Sequence, residues 1–213
     1  MKITKLGHCC LIIEIDGVRF LTDPGNYSTE QDTVTNIDAI VITHQHTDHF
    51  HIESVKNVLL NNPKAQIITN KSVGSLLAKE DISYLCIEDG ESILLNGVEV
   101  YGHGSAHAPI YKDYEQVQNT GYMFGRKIFY PGDEFHVPRK VPVDILAFPV
   151  TAPWANISQS IEYVLAVKPR VAFPVHDGNL VRRDGITKRL PALKLAEAGI
   201  DFVPMELGKE YEF

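Results

Sequence analysis

The segment 43–50 contains the densest group of metal-capable side chains in the sequence. It holds the pattern His-x-His-x-Asp-His, in which the metal-capable residues are His44, His46, Asp48 and His49. Chance would produce this pattern in a chain of this composition with a probability of roughly 0.001, so the spacing is a specific signal. His44 and His46 are two residues apart and point the same way from an extended segment, and neutral imidazoles are good zinc ligands. Asp48 and His49 follow where the chain turns, and they can bind a second ion beside the first.

Three residues later in the chain complete a candidate site for two ions. His107, Asp133 and His176 each follow a predicted strand into a short loop, and loops at strand ends often display catalytic groups. Asp133 and His176 could each also be an ordinary turn residue. They indicate a metal site only when they are taken together with the cluster at 44–49. The competing interpretation of the cluster itself, a polar loop whose histidines bond to the backbone, accounts poorly for its spacing.

Two histidines compete for one ligand position in the segment 101–107. His103 lies between two glycines directly after a predicted strand, where the chain is expected to turn sharply. His107 is followed two residues later by Pro109, which restricts the residue between them and favours an extended, well-defined segment. We therefore favour His107, although the glycines do not exclude His103.

The elements around these residues form two similar halves. Three hairpins are predicted around the turns Asp16-Gly17, Asn96-Gly97 and Gly125-Arg126, with strands at 10–15 and 18–22, 93–95 and 98–101, and 122–124 and 128–130. Short apolar runs predict further strands at 38–43, 66–69, 144–150, 170–175 and 201–205. Helices are predicted at 52–61, 72–78 and 157–167, with a last one between Pro191 in its first turn and Gly199 just past its end. Hairpins with helices late in each half predict two sheets packed face to face, in one domain spanning 1–213.

Composition and charge narrow the class of protein. The chain has 213 residues, 44% of them apolar and 22% charged, which is typical of one large globular domain. A net charge of −7 without a block of like charges argues against nucleic acid as the main partner. No run of roughly 18 apolar residues occurs, and the N-terminus lacks a secretory signal core, so a cytoplasmic protein without membrane contact is expected. The sequence is compatible with a homo-oligomer and does not select a subunit number.

The cysteines predict neither a disulfide framework nor a nucleophile. Cys9, Cys10 and Cys86 cannot all pair, and the adjacent two point to opposite faces of an extended segment. Neither Cys9 nor Cys10 has an obvious orienting base, and no Gly-x-Ser-x-Gly motif occurs in the chain. Both are interpreted as packing residues.

The complete series of motifs resembles the metallo-β-lactamase superfamily of metal-dependent hydrolases, from Lys5 to about Asn179. The match begins with Leu21-Thr22-Asp23-Pro24-Gly25, continues through the cluster at 44–49 and ends with the three later candidates. The resemblance implies an α/β fold, a four-layer αββα sandwich with the metals at the edge where the two sheets meet. It also implies one ion on His44, His46 and His107, another on Asp48, His49 and His176, and Asp133 as the bridge between them.

Two details refine this resemblance. The start Gly7-His8-Cys9-Cys10 and the turn 22–25 look most like the lactonase-like bacterial branch that includes ascorbate-6-phosphate lactonase. The oxygen-reducing flavodiiron branch resembles the series as well, but it has an acidic residue at the place of His46. His46 therefore favours hydrolysis over redox chemistry.

The function expected from this resemblance is hydrolysis of a lactone or another ester-like bond in a small molecule, by a hydroxide that two ions activate. The family suggests that Asp48 holds the nucleophile and then passes a proton to the leaving group. Zinc is the expected metal, with manganese or iron as alternatives. Two other functions stay open: a phosphodiesterase acting on cyclic nucleotides or RNA with the same two ions, and a non-catalytic metal-dependent sensor.

Residues around the cluster have expected supporting roles. Asp23 is expected to orient a ligand histidine, with a plain Asp-Pro-Gly turn as the alternative. The side chains that line a substrate pocket, or else face solvent, are Tyr111, Lys112, Tyr114, Trp154, Arg182 and Arg183. A Lys or Arg in the pocket would suit a phosphate or carboxylate on the substrate. Structural or surface roles are expected for the remaining histidines, which are His8, His51, His103 and His136.

Overall fold

The computed structural model describes residues 1–138 and 141–213, and within these ranges fourteen strands form two seven-stranded sheets. The first sheet contains, in spatial order, β14 (Glu210–Glu212), β1 (Lys2–Lys5), β2 (Leu11–Ile15), β3 (Val18–Thr22), β4 (Ala39–Ile42), β5 (Gln66–Thr69) and β6 (Leu85–Cys86). The second contains β13 (Asp201–Phe202), β12 (Val171–Val175), β11 (Ile145–Pro149), β10 (Ile128–Tyr130), β9 (Gly121–Phe124), β8 (Val98–His103) and β7 (Ser92–Leu95).

The two sheets repeat one plan. In each of them the strands that come first along the chain pair antiparallel and the later ones pair parallel, except that the last strand, β14, pairs antiparallel with β1. Parallel neighbours require crossover connections, and helices supply most of these. The described ranges contain four α-helices and one 3-10 turn, which are α1 (Ile52–Asn61), α2 (Lys71–Ala78), α3 (Ile157–Val167), α4 (Ile186–Glu197) and the turn Glu30–Thr33.

Three apolar clusters separate four layers. The central one contains inward-facing residues of both sheets, such as Phe20 and Phe124, whose ring centroids are 5.1 Å apart. A second cluster joins the first sheet to α1 and α2, and a third joins the second sheet to α3 and α4. Because a sheet buries one face on its partner sheet and the other under helices, the layers follow the order αββα. The predicted fold class is confirmed.

Most predicted elements are present. The three hairpins form, and Asp16, Asn96 and Arg126 adopt the positive φ values of 52°, 46° and 55° that such tight turns need. The helices predicted at 52–61 and 157–167 have those bounds. The side chain of Asn156 caps the second of these helices by accepting a hydrogen bond from the Gln159 backbone.

The end of the chain differs from the prediction. The last helix begins at Ile186, so Pro191 is its sixth residue and not part of its first turn. The residues 186–190 include only two apolar side chains, the exposed Ile186 and the half-buried Leu190, so the apolar pattern is weak there. The strand predicted at 201–205 ends at Phe202 because Pro204 has no N–H to donate to a neighbouring strand. The short strands β6 and β14 have no counterpart in the predicted elements.

None of the helices in the described ranges combines the length and the apolar character that crossing a bilayer requires.

Lys5, at the end of β1, is an internal charge that ties the two sheets together. Its ammonium group donates to the Asp177 carboxylate over 2.7 Å and to the backbone oxygen of Pro174, in β12, over 2.8 Å. Burial lowers the pKa of Lys5 below its ordinary value, although the Asp177 charge opposes this shift. The ion pair therefore fixes the residue that directly follows His176.

Replacing Lys5 by Met should leave the buried Asp177 with only the more distant Arg183, 3.7 Å away. We expect the free energy of unfolding to fall by roughly 3–5 kcal/mol, because a buried carboxylate loses its main partner. Urea unfolding measures this change. Lys2 is on the same strand as Lys5, and Lys2→Met removes an exposed ion pair with Glu210 of β14. This change should affect stability little. Similar losses in both variants would contradict a special role for the buried pair.

Candidate metal centre

The predicted ligands meet at one edge of the sandwich, where parallel strands of both sheets end. The cluster 44–49 follows β4, and His107 lies in the loop after β8. Asp133 and His176 follow β10 and β12. Because β10 and β12 both pair parallel with β11, the three strands run in the same direction, and their C-terminal ends lie at the same end of the second sheet.

The structure brings five of the seven predicted ligands into two overlapping groups. His44, His46 and His107 each place one ring nitrogen within 4.8 Å of the others. A second group at the same spacing combines His44, His49 and Asp133. The ring centroids of His46 and His107 are 4.6 Å apart, although the two residues are 61 positions apart in the sequence.

The two carboxylates lie between and beside these groups. Asp133 Oδ2 is 3.4 Å from His107 Nε2 and 3.0 Å from His176 Nε2, and Asp133 Oδ1 is 3.2 Å from His49 Nε2. Asp48 Oδ2 is 3.5 Å from His176 Nε2 and 3.9 Å from His49 Nε2. The structure thus places Asp133 between the two predicted ligand sets and Asp48 beside His49 and His176.

Three of these histidines present an unpartnered nitrogen to the cluster. The Nε2 atoms of His49, His107 and His176 are buried and have no hydrogen-bond partner among the described residues. Their Nδ1 atoms each contact an oxygen that only accepts: Asp23 Oδ2 for His49 (2.7 Å), and the backbone oxygens of Ala108 for His107 (2.6 Å) and Thr151 for His176 (2.6 Å). Each Nδ1 therefore carries the proton, and in a neutral ring Nε2 keeps its lone pair for a metal. Because unpartnered buried nitrogens are costly, this donor set fits divalent ions.

Asp23 is the hydrogen-bond centre behind these ligands. Its Oδ1 accepts from the Thr43 backbone N–H over 2.8 Å, and its Oδ2 accepts from the Thr43 hydroxyl over 2.7 Å and from the Tyr130 hydroxyl over 2.5 Å. Thr43 Oγ1 is also 3.0 Å from His44 Nδ1. Asp23 therefore orients His49 directly and His44 through Thr43. These contacts go beyond those of a plain Asp-Pro-Gly turn, in which the Asp side chain would bond only to its own turn.

The turn that contains Asp23 also supports the backbone of the cluster. The Asn26 N–H donates to the Thr47 carbonyl over 2.8 Å. At Gly25, a Cβ atom would overlap the Asp48 carbonyl group and the next backbone nitrogen. Only glycine allows the two segments to approach this closely.

His8 is a site residue that the sequence analysis interpreted as structural. The Gly178 N–H donates to His8 Nδ1 over 2.8 Å, so the His8 proton is on Nε2, which lies 3.3 Å from Asp48 Oδ2. The backbone oxygen of His8 accepts from the His176 N–H over 2.9 Å. His8 thus links Asp48 to the loop that carries His176. One feature of the sequence indicates that His8 belongs to the site. It lies directly after the first strand, at the edge where the strands that carry the predicted ligands also end.

Cys9 also lies against the cluster, although it packs in the apolar core between the sheets. Its sulfur and one ring nitrogen each of His8, His49 and His176 all lie within 4.8 Å of one another. Burial alone would raise the pKa of the Cys9 thiol, but the three imidazoles outweigh burial and lower that pKa to about 6.

His103 is not part of the cluster. Its ring packs against Tyr101 and Phe129, at centroid distances of 4.6 and 5.4 Å. Burial, aided by His136, lowers the pKa of His103 to about 4. The structure therefore places His107, and not His103, beside His44 and His46.

The charges of the cluster are coupled: burial acts to lower the pKa of His49 and of His176, but the charges of Cys9 and Asp133 outweigh it and raise both pKa values well above the ordinary value. Burial acts to raise the pKa of the Asp133 carboxyl, but His176 and His49 outweigh it and hold that pKa well below its ordinary value. Against the same effect of burial, His176 and His8 lower the pKa of Asp48. Burial lowers the pKa of His44 and of His46, so both rings are neutral near pH 7. The two carboxylates and the rings of His44 and His46 are therefore in the forms that bind metals, whereas His49 and His176 each release a proton when a metal binds.

A cleft of about 350 Å³ opens onto the candidate ligands. Its other walls are formed by Gln45, Thr47, Ile110, Tyr114, Pro153 and Trp154. The Trp154 indole, the only one in the sequence, donates to Asp133 Oδ2 over 2.9 Å. Trp154 therefore holds a candidate ligand and forms a wall of the cleft at the same time.

Two of the six predicted pocket residues, Tyr114 and Trp154, line this cleft. The other four are absent from its described lining, where no lysine or arginine is found. They have partners elsewhere: the Lys112 ammonium lies 5.3 Å from the Tyr111 ring centroid, Arg182 pairs with Asp184, and Arg183 lies beside Asp177.

The chain matches known proteins over most of its length. The family model described as a beta-lactamase superfamily domain matches residues 2–176. The protein Rv0786c of Mycobacterium tuberculosis is 33% identical over 181 residues, which are 83% of this chain and 84% of that protein. The UPF0173 metal-dependent hydrolase Ta0764 of Thermoplasma acidophilum is 25% identical over 201 residues, which are 86% of this chain and 87% of that protein. The solved structure of Igni18, a metallo hydrolase from Ignicoccus hospitalis, has a TM-score of 0.79 at 20% identity and covers 100% of this chain and 98% of that one.

Gly25→Ala should force the turn and the Asp48 backbone apart. We expect the free energy of unfolding to fall by about 1–3 kcal/mol, because the added methyl group overpacks a fixed contact. Chemical denaturation measures the loss, and the NMR signals of the His49 ring should shift with it. Gly185→Ala is the control, since a Cβ there would meet only the Arg182 carbonyl at 3.6 Å. An unchanged His49 ring in Gly25→Ala would show that the close approach does not position the cluster.

Proposed function

The chain belongs to the metallo-β-lactamase superfamily of metal-dependent hydrolases, and we propose that it uses two divalent ions to hydrolyse a lactone or another ester-like bond in an uncharged small molecule. The observation that carries the proposal is the cleft. Its described walls combine the candidate ligands with four apolar or aromatic side chains and with the uncharged Gln45 and Thr47, without lysine or arginine. A phosphate or carboxylate on the substrate would be matched by such cations. Apolar walls with few polar groups suit an acyl group instead.

In this proposal each ion has three ligands of its own. The first ion is held by His44, His46 and His107, the second ion by Asp48, His49 and His176, and Asp133 lies between them. The unpartnered Nε2 atoms and the ionised carboxylates support this assignment. A mixture of imidazole and carboxylate ligands suits zinc, which we propose as the metal, and metal analysis would distinguish it from manganese or iron.

The residues around the proposed ions would transfer a proton, position Asp48 and contact the substrate. Divalent ions bound here supply Lewis acidity, which lowers the pKa of water to about 7 and polarises a carbonyl oxygen. The Asp48 side chain lines the cleft and is 21% exposed, so its carboxylate can take a proton from the attacking water and return it to the leaving oxygen. His8 keeps that carboxylate in place through Oδ2. Tyr114 and Trp154 provide the wall against which an acyl chain would pack.

A substrate panel tests the proposal. The protein is purified without added metal, its metal content is measured, and lactones, carboxylic esters, thioesters and phosphodiesters are assayed at the same concentration. We expect about two ions per chain and turnover of lactones or esters that Asp48→Asn loses. Activity on phosphodiesters alone would contradict the proposal. Two bound ions without turnover of any compound class would favour a metal-dependent sensor.

His107→Ala and His103→Ala form a matched pair that tests the first ion. Both histidines are buried, at 2% and 6% exposure, but only His107 lies in the cluster. We expect His107→Ala to lose close to one ion per chain and to reduce turnover by about a hundredfold or more. His103→Ala should keep both ions and most of the rate. Metal analysis of the two purified variants decides, and the reverse result would move the ligand to His103.

A further inference from the structure

Cys9 reaches the candidate metal centre from the protein interior. The residue is 1% exposed and is absent from the described lining of the cleft. Its sulfur nevertheless lies within 4.8 Å of one ring nitrogen each of His8, His49 and His176. The hydrolytic function proposed above assigns no role to this sulfur.

Two of these three histidines can share an ion with the sulfur. The Nε2 atoms of His49 and His176 are buried and lack a hydrogen-bond partner within the described ranges. In a tetrahedral zinc site, bonds of about 2.0 Å to nitrogen and 2.3 Å to sulfur separate the two ligand atoms by roughly 3.5 Å. The observed spacing of up to 4.8 Å exceeds this value by at most about 1.3 Å, which is the distance by which the ligand atoms draw together around an ion.

His8 does not serve as the third nitrogen. Its Nδ1 accepts a hydrogen bond from the Gly178 backbone, which places the proton of the neutral ring on Nε2. That Nε2–H faces Asp48 Oδ2 and therefore has no lone pair for a metal. The Gly178 backbone lies close against the Nδ1 side of this ring, since a Cβ atom added there would be only 2.9 Å from His8 Nδ1.

We propose that the Cys9 sulfur is a ligand of the second ion, together with His49 and His176. This inference rests on the proposed two-ion function, and it adds an anionic sulfur on the side of the ion that faces the core. On binding, the thiol loses its proton to solvent and a metal–sulfur bond forms, without any change of oxidation state. Because thiolates prefer softer ions, the second position should favour zinc or cadmium over manganese.

The other two cysteines are matched controls. Cys10 is as buried as Cys9 but packs in the cluster between the first sheet and its helices. Cys86 is exposed on β6. All three are free thiols, so each Cys→Ser variant removes one sulfur without breaking a disulfide.

Cadmium titration tests the proposal because a cadmium–thiolate bond gives an ultraviolet charge-transfer band. The metal-free protein is titrated with Cd²⁺ while absorbance is recorded and bound cadmium is counted by elemental analysis. Wild type, Cys10→Ser and Cys86→Ser should show the band as the second ion binds. Cys9→Ser should lack the band and should bind the second Cd²⁺ at least about tenfold more weakly.

Each outcome decides a separate point. A wild-type protein that binds two Cd²⁺ without the band, or a Cys9→Ser variant that keeps it, would overturn the sulfur ligand and leave the two-ion function standing. Fewer than two ions on the wild type would refute the two-ion function itself. Should Cys9→Ser fail to fold, X-ray absorption at the zinc edge of the wild type decides, since it shows whether sulfur is bonded to the metal.

Discussion

The buried carboxylate of Asp23 is the constraint on which the rest of the centre depends. A charge with no solvent exposure is tolerated only when hydrogen bonds replace its water, and Asp23 receives them from two Thr43 groups, from His49 and from Tyr130. Thr43 and His49 follow β4 of the first sheet, whereas Tyr130 ends β10 of the second. The same two oxygen atoms therefore fix the tautomer of a candidate ligand and the relative position of the two sheets.

The loop that carries His176 needs support from outside its own sheet. His176 has a φ of 60°, a left-handed conformation that costs a residue other than glycine roughly 1–3 kcal/mol. The segment 5–8 compensates from the first sheet, because the His8 carbonyl accepts from the His176 N–H and Lys5 holds Asp177. Both sheets are thus joined on one side by Asp23 and on the other by this segment, and the cluster lies between the two joints.

The sequence predicted those parts of the molecule that local chemistry determines. Hairpin turns, the helix at 52–61 and the compact pattern from His44 to His49 each depend on neighbours in sequence, and the structure has them in place. The role of His8 could not be predicted, because its hydrogen bond comes from Gly178, 170 positions away. The cationic residues expected near the substrate lie elsewhere for a different reason: Arg182 and Arg183 pair with carboxylates close to them in sequence, on Asp184 and Asp177, and are absent from the described lining of the cleft.

The buried ring nitrogens of the candidate metal centre lower the stability of the fold. Three buried imidazole nitrogens lack a hydrogen-bond partner among the described residues and face a carboxylate instead, an arrangement that costs about 1–3 kcal/mol for each unsatisfied nitrogen and that an apolar core would avoid. The surrounding hydrogen bonds hold these atoms in position instead of satisfying them: Asp23, Ala108 and Thr151 all occupy the far nitrogen of a ring. Such a set of bonds makes sense only if the near nitrogens are reserved for another partner. Because the Asp133 and Asp48 carboxylates stand 3.0–3.9 Å from the nitrogens of His49 and His176, a small cation suits the space between them, and in the proposed centre a divalent ion replaces the protons that these carboxylates stabilise on the two rings.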